Sequence, residues 1–148
     1  WVEFFSQQKM LWPESSFVLI GKEQEEQLID EILELCRAKS LQNIVRLPPT
    51  FGIKETVYLI SRAEMVVSNC NSVSHMAALA RRPIVGLFAP TDYCRTGPFT
   101  DRLSIVSAHL SCSPCYSKTP SGCERPVCMS SIEASDITDA VLELGKLS

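Results

Sequence analysis

The chain has 148 residues, 45% of them hydrophobic and 21% charged, and its fourteen Lys and Arg against seventeen Asp and Glu give a net charge of -3. That composition suits one compact folded domain over residues 1–148, able to bury roughly two-thirds of its unfolded surface, and it excludes disorder. No Lys/Arg-rich run points to nucleic acid or anionic lipid, no apolar run approaches the roughly 20 residues of a membrane span, and no basic-then-apolar N-terminal signal is present.

The opening Trp1-Val2-Glu3-Phe4-Phe5 reads as part of an amphipathic helix, and its abrupt start without Met leads us to expect a longer protein. Phe17-Val18-Leu19-Ile20 is an apolar run of strand type ended by Gly21. From Glu25 to Lys39, Leu28, Ile32 and Cys36 recur every four residues, widened by Ile29 and Leu33, which predicts a helix. Asn43-Ile44-Val45 is a short strand, Pro48-Pro49 a loop, and Ile53, Val57 and Ile60 the inner face of another helix.

A third unit follows: the strand Met65-Val66-Val67, a turn from Asn69 to Ser72, and a helix whose Val73, Met76, Ala77 and Ala80 share a face. Pro83 restarts a strand that runs out at Ala89-Pro90-Thr91-Asp92. Leu103 to Val106 is a last strand, residues 107–129 an irregular cysteine-rich segment, and Ile137, Ala140, Val141 and Leu144 mark a closing helix capped by Ser135.

Strands apolar on both faces and separated by helices imply a parallel sheet covered on both sides, hence a doubly wound α/β fold of Rossmann-like type. Ligands of such sheets bind beyond the carboxyl ends of the strands, so the loops starting at Gly21, Leu47, Asn69 and Ala89 are expected to face one crevice. Neither a Gly-x-Gly-x-x-Gly nor a Gly-x-x-x-x-Gly-Lys-Ser/Thr pattern occurs, which excludes the usual dinucleotide and P-loop designs. A helix starting just after the turn at Asn69 still offers backbone amides to an anion.

Gly21-Lys22-Glu23-Gln24-Glu25, the run from Val66 to Ala78, Leu87 to Asp92, and Cys112-Ser113-Pro114-Cys115 through Cys128-Met129-Ser130-Ser131-Ile132 occur in an order and spacing that resemble the C-terminal half of glycosyltransferase family nine, the heptosyltransferases of lipopolysaccharide core assembly. The resemblance covers nearly the whole chain. It implies one half of a two-domain GT-B enzyme, the half that binds an ADP-sugar donor, with inverting transfer to a glycolipid acceptor and no metal or other cofactor required for catalysis. The catalytic aspartate and a donor-phosphate lysine then belong to an absent N-terminal, acceptor-binding domain. No catalytic residue is expected in this chain, which should be inactive alone. A cytoplasmic location, peripheral to the inner membrane through the acceptor or the missing domain, follows from the same resemblance.

Carried over residue by residue, Gly21 and Glu25 match the family's donor-side turn, with Glu25 meeting the ribose hydroxyls; the alternative is an ordinary acid at a helix start. Phe51 falls where relatives hold the adenine, or else fills core. Cys70, Asn71 and Ser72 stand where the family carries Asp-Ser/Thr-Gly, so a thiol replaces a sugar-binding carboxylate and serine replaces glycine. His75 matches a phosphate-donating histidine one turn into the helix, its ordinary alternative being a structural imidazole. Thr91 and Asp92 match a Gly-Pro-Thr-Asp loop, with Ala89 in the glycine's place; they line the crevice or cap a turn.

Cys112, Cys115, Cys123 and Cys128 lie in one irregular segment, where they could close a structural zinc site or remain free or partly paired thiols. Cys36, on a helix's inner face, reads as core. Two further functional readings stay open: a catalytically degenerate nucleotide-sugar-binding module, suggested by Cys70 and Ser72, and another GT-B-like enzyme using a UDP-sugar.

Overall fold

A computed structural model describes residues 1–48, 50–108, 110–115, 123 and 127–146. The chain forms two compact units, Trp1–Thr56 and Val57–Ser148. Its strands pair in parallel throughout, and helices lie between them in sequence, as the alternating apolar pattern predicts for an α/β fold.

The first unit holds α1 (Val2–Leu11), β1 (Phe17–Leu19), a 3-10 turn (Glu23–Glu25), α2 (Glu26–Ala38) and β2 (Ile44–Arg46). β1 and β2 run in parallel with Phe17 opposite Ile44 and Leu19 opposite Arg46. Phe4 and Phe5 of α1 are buried, and Phe5 packs against Phe17 with ring centroids 5.0 Å apart. The aromatic opening therefore anchors α1 to β1.

On α2 the buried row is Ile29, Leu33 and Cys36, while Leu28 is 56% exposed. The predicted stripe through Leu28 was thus one position off. Leu28 and Ile29 start adjacent helical rows, and the backbone at Gly21 selects the second: a Cβ there would sit 2.5 Å from Ile29 Cδ1. Burial pushes the Cys36 thiol above its ordinary value, with Lys39 pulling weakly the other way. α2 starts one residue later than predicted because Glu25 belongs to the 3-10 turn, an element the periodicity did not reveal.

The second unit holds β3 (Val66–Asn69), α4 (Ser72–Leu79), β4 (Ile84–Phe88), the short α5 (Tyr93–Thr96), β5 (Leu103–Ser107) and α6 (Ala134–Gly145); α3 (Ile53–Arg62) leads into it. The sheet order is β3-β4-β5, and central β4 is buried along its whole length. α6 lies against β5 and β4 through Ile137, Ala140, Val141 and Leu144. Gly86 of β4 is required by crowding, since a Cβ there would sit 2.6 Å from the Phe88 ring.

Three local expectations are corrected here. Ile53 is 72% exposed, so the inner face of α3 is carried by Ile60 with Val57 half-buried; Ile53 opens the helix and lies beyond the sheet's cover. Ser135 is not the cap of α6. The helix starts at Ala134 after Glu133, whose amide donates to the Asp136 carboxylate at 2.8 Å, so an acid in the first turn does the capping. On α4 the deepest residues are Ser74 and Ala77, and burial of Ser74 is tolerated because its hydroxyl donates to the Asn71 carbonyl at 2.7 Å.

Candidate functional site

β3 ends at Asn69, and two residues later the chain enters α4. Asn71 is extended and caps the helix: its side-chain oxygen accepts the Val73 amide at 2.9 Å and the Ser68 hydroxyl at 3.0 Å. One of the amides that a helix start leaves without intrahelical partners is thereby satisfied from within. Ser72 is the first helical residue and has no positive φ, so serine in the family's glycine position carries no backbone strain. His75 lies one turn up α4, exposed, and makes no hydrogen bond or ion pair among the described residues.

The half-buried Cys70 takes part in a different arrangement from the one its position suggests. Its Sγ lies 3.2 Å from Thr96 Oγ1 and 3.6 Å from the Thr96 carbonyl, and the Thr96 hydroxyl in turn donates to the Asp92 carbonyl at 3.0 Å. Thiol, hydroxyl and carbonyl form a chain that ties the turn after β3 to the loop after β4. Asp92 itself caps α5, its Oδ1 accepting the Cys94 amide at 2.9 Å, and Thr91 beside it is half-buried. Tyr93 follows, its phenol pushed above the ordinary value first by the neighbouring Cys94, which disfavours a second negative charge nearby.

Thr91 and Asp92 also border a cavity of about 400 Å³ in this unit. Its opposite wall is built by Ser107, Ser111, Ser113 and Pro114, which sequence reasoning had left inside the irregular segment. Ser113 is fixed there by donating to the Ala89 carbonyl, and the Cys115 amide donates to Pro90 O at 3.0 Å. A motif search could not have found these serines, because their placement depends on β5 ending beside β4.

The remaining predicted residues belong to the first unit. Glu25 is exposed, and its Oε2 accepts the Lys22 amide at 2.7 Å, closing the 3-10 turn and leaving Oε1 for another donor. Gly21 brings the chain within reach of that carboxylate, since a Cβ on it would lie 3.3 Å from Glu25 Oε2. Phe51 is 45% exposed, so core filling does not account for it. The structure thus gathers Cys70, Asn71, Ser72 and His75 on one turn, with Thr91 and Asp92 joined to it through Thr96, and Gly21 with Glu25 on another.

Cys112 and Cys115 are exposed, Cys123 and Cys128 half-buried, and all four are free thiols. Among the described residues no three His, Cys, Asp or Glu side chains stand together so as to hold a metal, so these cysteines do not assemble a zinc donor set in this arrangement. Among the described residues, too, no helix is long and apolar enough to cross a membrane.

Parallel strands with a capped helix start and a cavity at their carboxyl ends are the features of an α/β domain of glycosyltransferase type, and solved structures bear out the fold. The chain superimposes on E. coli ADP-heptose LPS heptosyltransferase II with a TM-score of 0.76 at 20% identity, over 97% of this chain and 39% of that one. Against E. coli heptosyltransferase WaaC with ADP the TM-score is 0.69 at 18% identity, over 97% of this chain and 39% of that one. The family profile of glycosyltransferase family 9 (heptosyltransferase) matches residues 14–123, and the chain belongs to that family. Lipooligosaccharide heptosyltransferase 2 of Haemophilus influenzae is 31% identical over 87 residues, which are 59% of this chain and 23% of that protein. The chain therefore spans well under half the length of these relatives.

Proposed function

We propose that this chain is the donor-binding part of an inverting glycosyltransferase that moves a heptose-type sugar from an ADP-sugar to a lipopolysaccharide-type glycolipid acceptor. The observation that carries the reading is the start of α4: a helix beginning just beyond a parallel strand, shaped by Asn71, with the free imidazole of His75 one turn above. Amides at a helix start and an adjacent imidazole suit a diphosphate, because the helix dipole and the directed N–H groups both favour an anion. Glu25 Oε1 is an acceptor for ribose hydroxyls, and exposed Phe51 supplies an aromatic surface for a base. A related E. coli heptosyltransferase has been solved with ADP, which supports adenine as the base.

In this reading the general base and the acceptor site come from an N-terminal domain that precedes this part in the whole protein, and the protein works in the cytoplasm at the inner membrane face. Metal plays no part in the transfer. A second reading is favoured by Cys70, whose thiol is engaged by Thr96 where relatives present a carboxylate to the sugar: the module keeps nucleotide binding and has lost turnover.

Calorimetric titration with ADP, UDP and ADP-heptose separates the readings. ADP-selective binding is expected. UDP selectivity would replace the donor, and absence of any nucleotide binding would remove the proposal. In the full-length protein Cys70→Asp then reports on decay: a gain of turnover supports the degenerate reading, a loss supports a site retuned around the thiol.

A further inference from the structure

The turn at the start of α4 and the cavity beyond β4 and β5 differ in chemistry, although the Cys70–Thr96–Asp92 chain holds them side by side. Thr91, Asp92 and Tyr93 form one wall of the cavity and Ser107, Ser111 and Ser113 the other. The hydroxyls of Thr91, Tyr93, Ser107 and Ser111 can each donate and accept. Ser113 spends its proton on the Ala89 carbonyl, so toward the cavity it offers lone pairs. Asp92 Oδ1 is committed to the Cys94 amide, and no described residue donates to its second oxygen.

Charge decides what such a cavity accepts. Its described lining carries one carboxylate and no Lys or Arg, so a phosphate or other anion entering it meets repulsion without compensation. A neutral ligand with several hydroxyls meets matched acceptors and donors instead. The Tyr93 ring, 45% exposed and held edge-on by buried Phe88 at 6.1 Å, adds a flat apolar surface beside those polar groups. A volume of about 400 Å³ admits one ring with its substituents.

We propose that this cavity is a binding site for a neutral, polyhydroxylated six-membered sugar ring, its C–H face laid on Tyr93 and its hydroxyls read by Asp92, Ser107 and Ser111. The inference rests on the sugar-transferase reading above and adds to it: phosphates are held at α4, and a sugar ring is held here by a different set of groups. The ring can be that of the donor or that of the acceptor, since both present the same chemistry.

The test is a two-dimensional amide NMR titration of this chain with three probes: methyl α-D-mannopyranoside, inorganic phosphate and ADP. The mannoside at millimolar concentration is expected to shift Thr91, Asp92, Tyr93, Ser107 and Ser111 while leaving Asn71 to His75 unmoved, and Tyr93→Ala is expected to weaken it at least tenfold. Ser111→Ala, an exposed change that leaves the fold alone, is expected to weaken it about threefold. No mannoside shifts in these residues, or phosphate shifts there in place of them, would overturn the proposal. If ADP fails to bind while the mannoside shifts remain, the donor reading falls and the sugar site stands. Saturating ADP-glucose then tells the sources apart: a displaced mannoside identifies the donor's ring, an undisturbed one the acceptor's.

Discussion

His75 and Glu25 were equally legible as candidates in the sequence, and the structure separates them. His75 is exposed without a described partner, so its removal should cost little in folding: His75→Ala is expected to change stability by less than about 0.5 kcal/mol while weakening ADP binding by about 1–3 kcal/mol, the cost of a charge-assisted contact. Melting curves and calorimetry on the same sample check both halves, and a fall in stability without loss of affinity would make the imidazole structural. Glu25 has a second task, because its carboxylate closes the turn at Lys22. Glu25→Ala should therefore lose about 0.5–2 kcal/mol of stability in addition to donor affinity. Cys70 shows the opposite relation between sequence and structure. A departure from the family at that position says nothing about where the thiol goes, and the bond to Thr96 depends on a loop twenty-six residues away.

At the scale of elements, α2 and α4 end in the same manner. Ser40 and Arg81 both adopt positive φ, 57° and 54°, and in each case the next residue's amide reaches back: Leu41 to Cys36 O and Arg82 to Ala77 O, both at 2.9 Å. This double-bonded helix stop favours glycine, which neither position has, so the ends were unmarked in the sequence. Ser40→Gly and Arg81→Gly are each expected to stabilise the fold by about 0.5–1 kcal/mol in denaturant melts, since relief of the left-handed strain outweighs the added freedom of the unfolded chain. The choice between the Leu28 and Ile29 rows of α2 is testable in the same way. Leu33→Ala should cost about 2–5 kcal/mol and Leu28→Ala under about 1 kcal/mol, and a reversal would show the helix rotated from its described position.

For the molecule as a whole, Cys36 ties stability to pH. Its thiol is raised above the ordinary 9.0 by burial, so the folded chain keeps a proton that the unfolded chain gives up as pH passes that value. Stability is therefore complete below pH 9 and falls as pH rises toward the folded-state value. Melting temperatures recorded between pH 8 and pH 10 are expected to drop more steeply for the parent than for Cys36→Ala. The cysteine-rich segment calls for a separate measurement: metal analysis of protein purified under reducing conditions is expected to find no stoichiometric zinc, and one equivalent per chain would mean that the four thiols assemble differently from their described arrangement.

Alternation of apolar runs with helical stripes was enough to define the parallel α/β class, and the order of short motifs was enough to name the family, because both are properties of pattern along the chain. Pattern also located the turn before α4, since Asn71 and the small residues after it act over three or four positions. Whether a row of leucines faces inward, which acid caps α6, where the Cys70 thiol bonds and which serines wall the cavity were decided by tertiary structure alone. Each of those outcomes depends on atoms brought together from distant positions, and a single helix or strand carries no record of what will be packed against it.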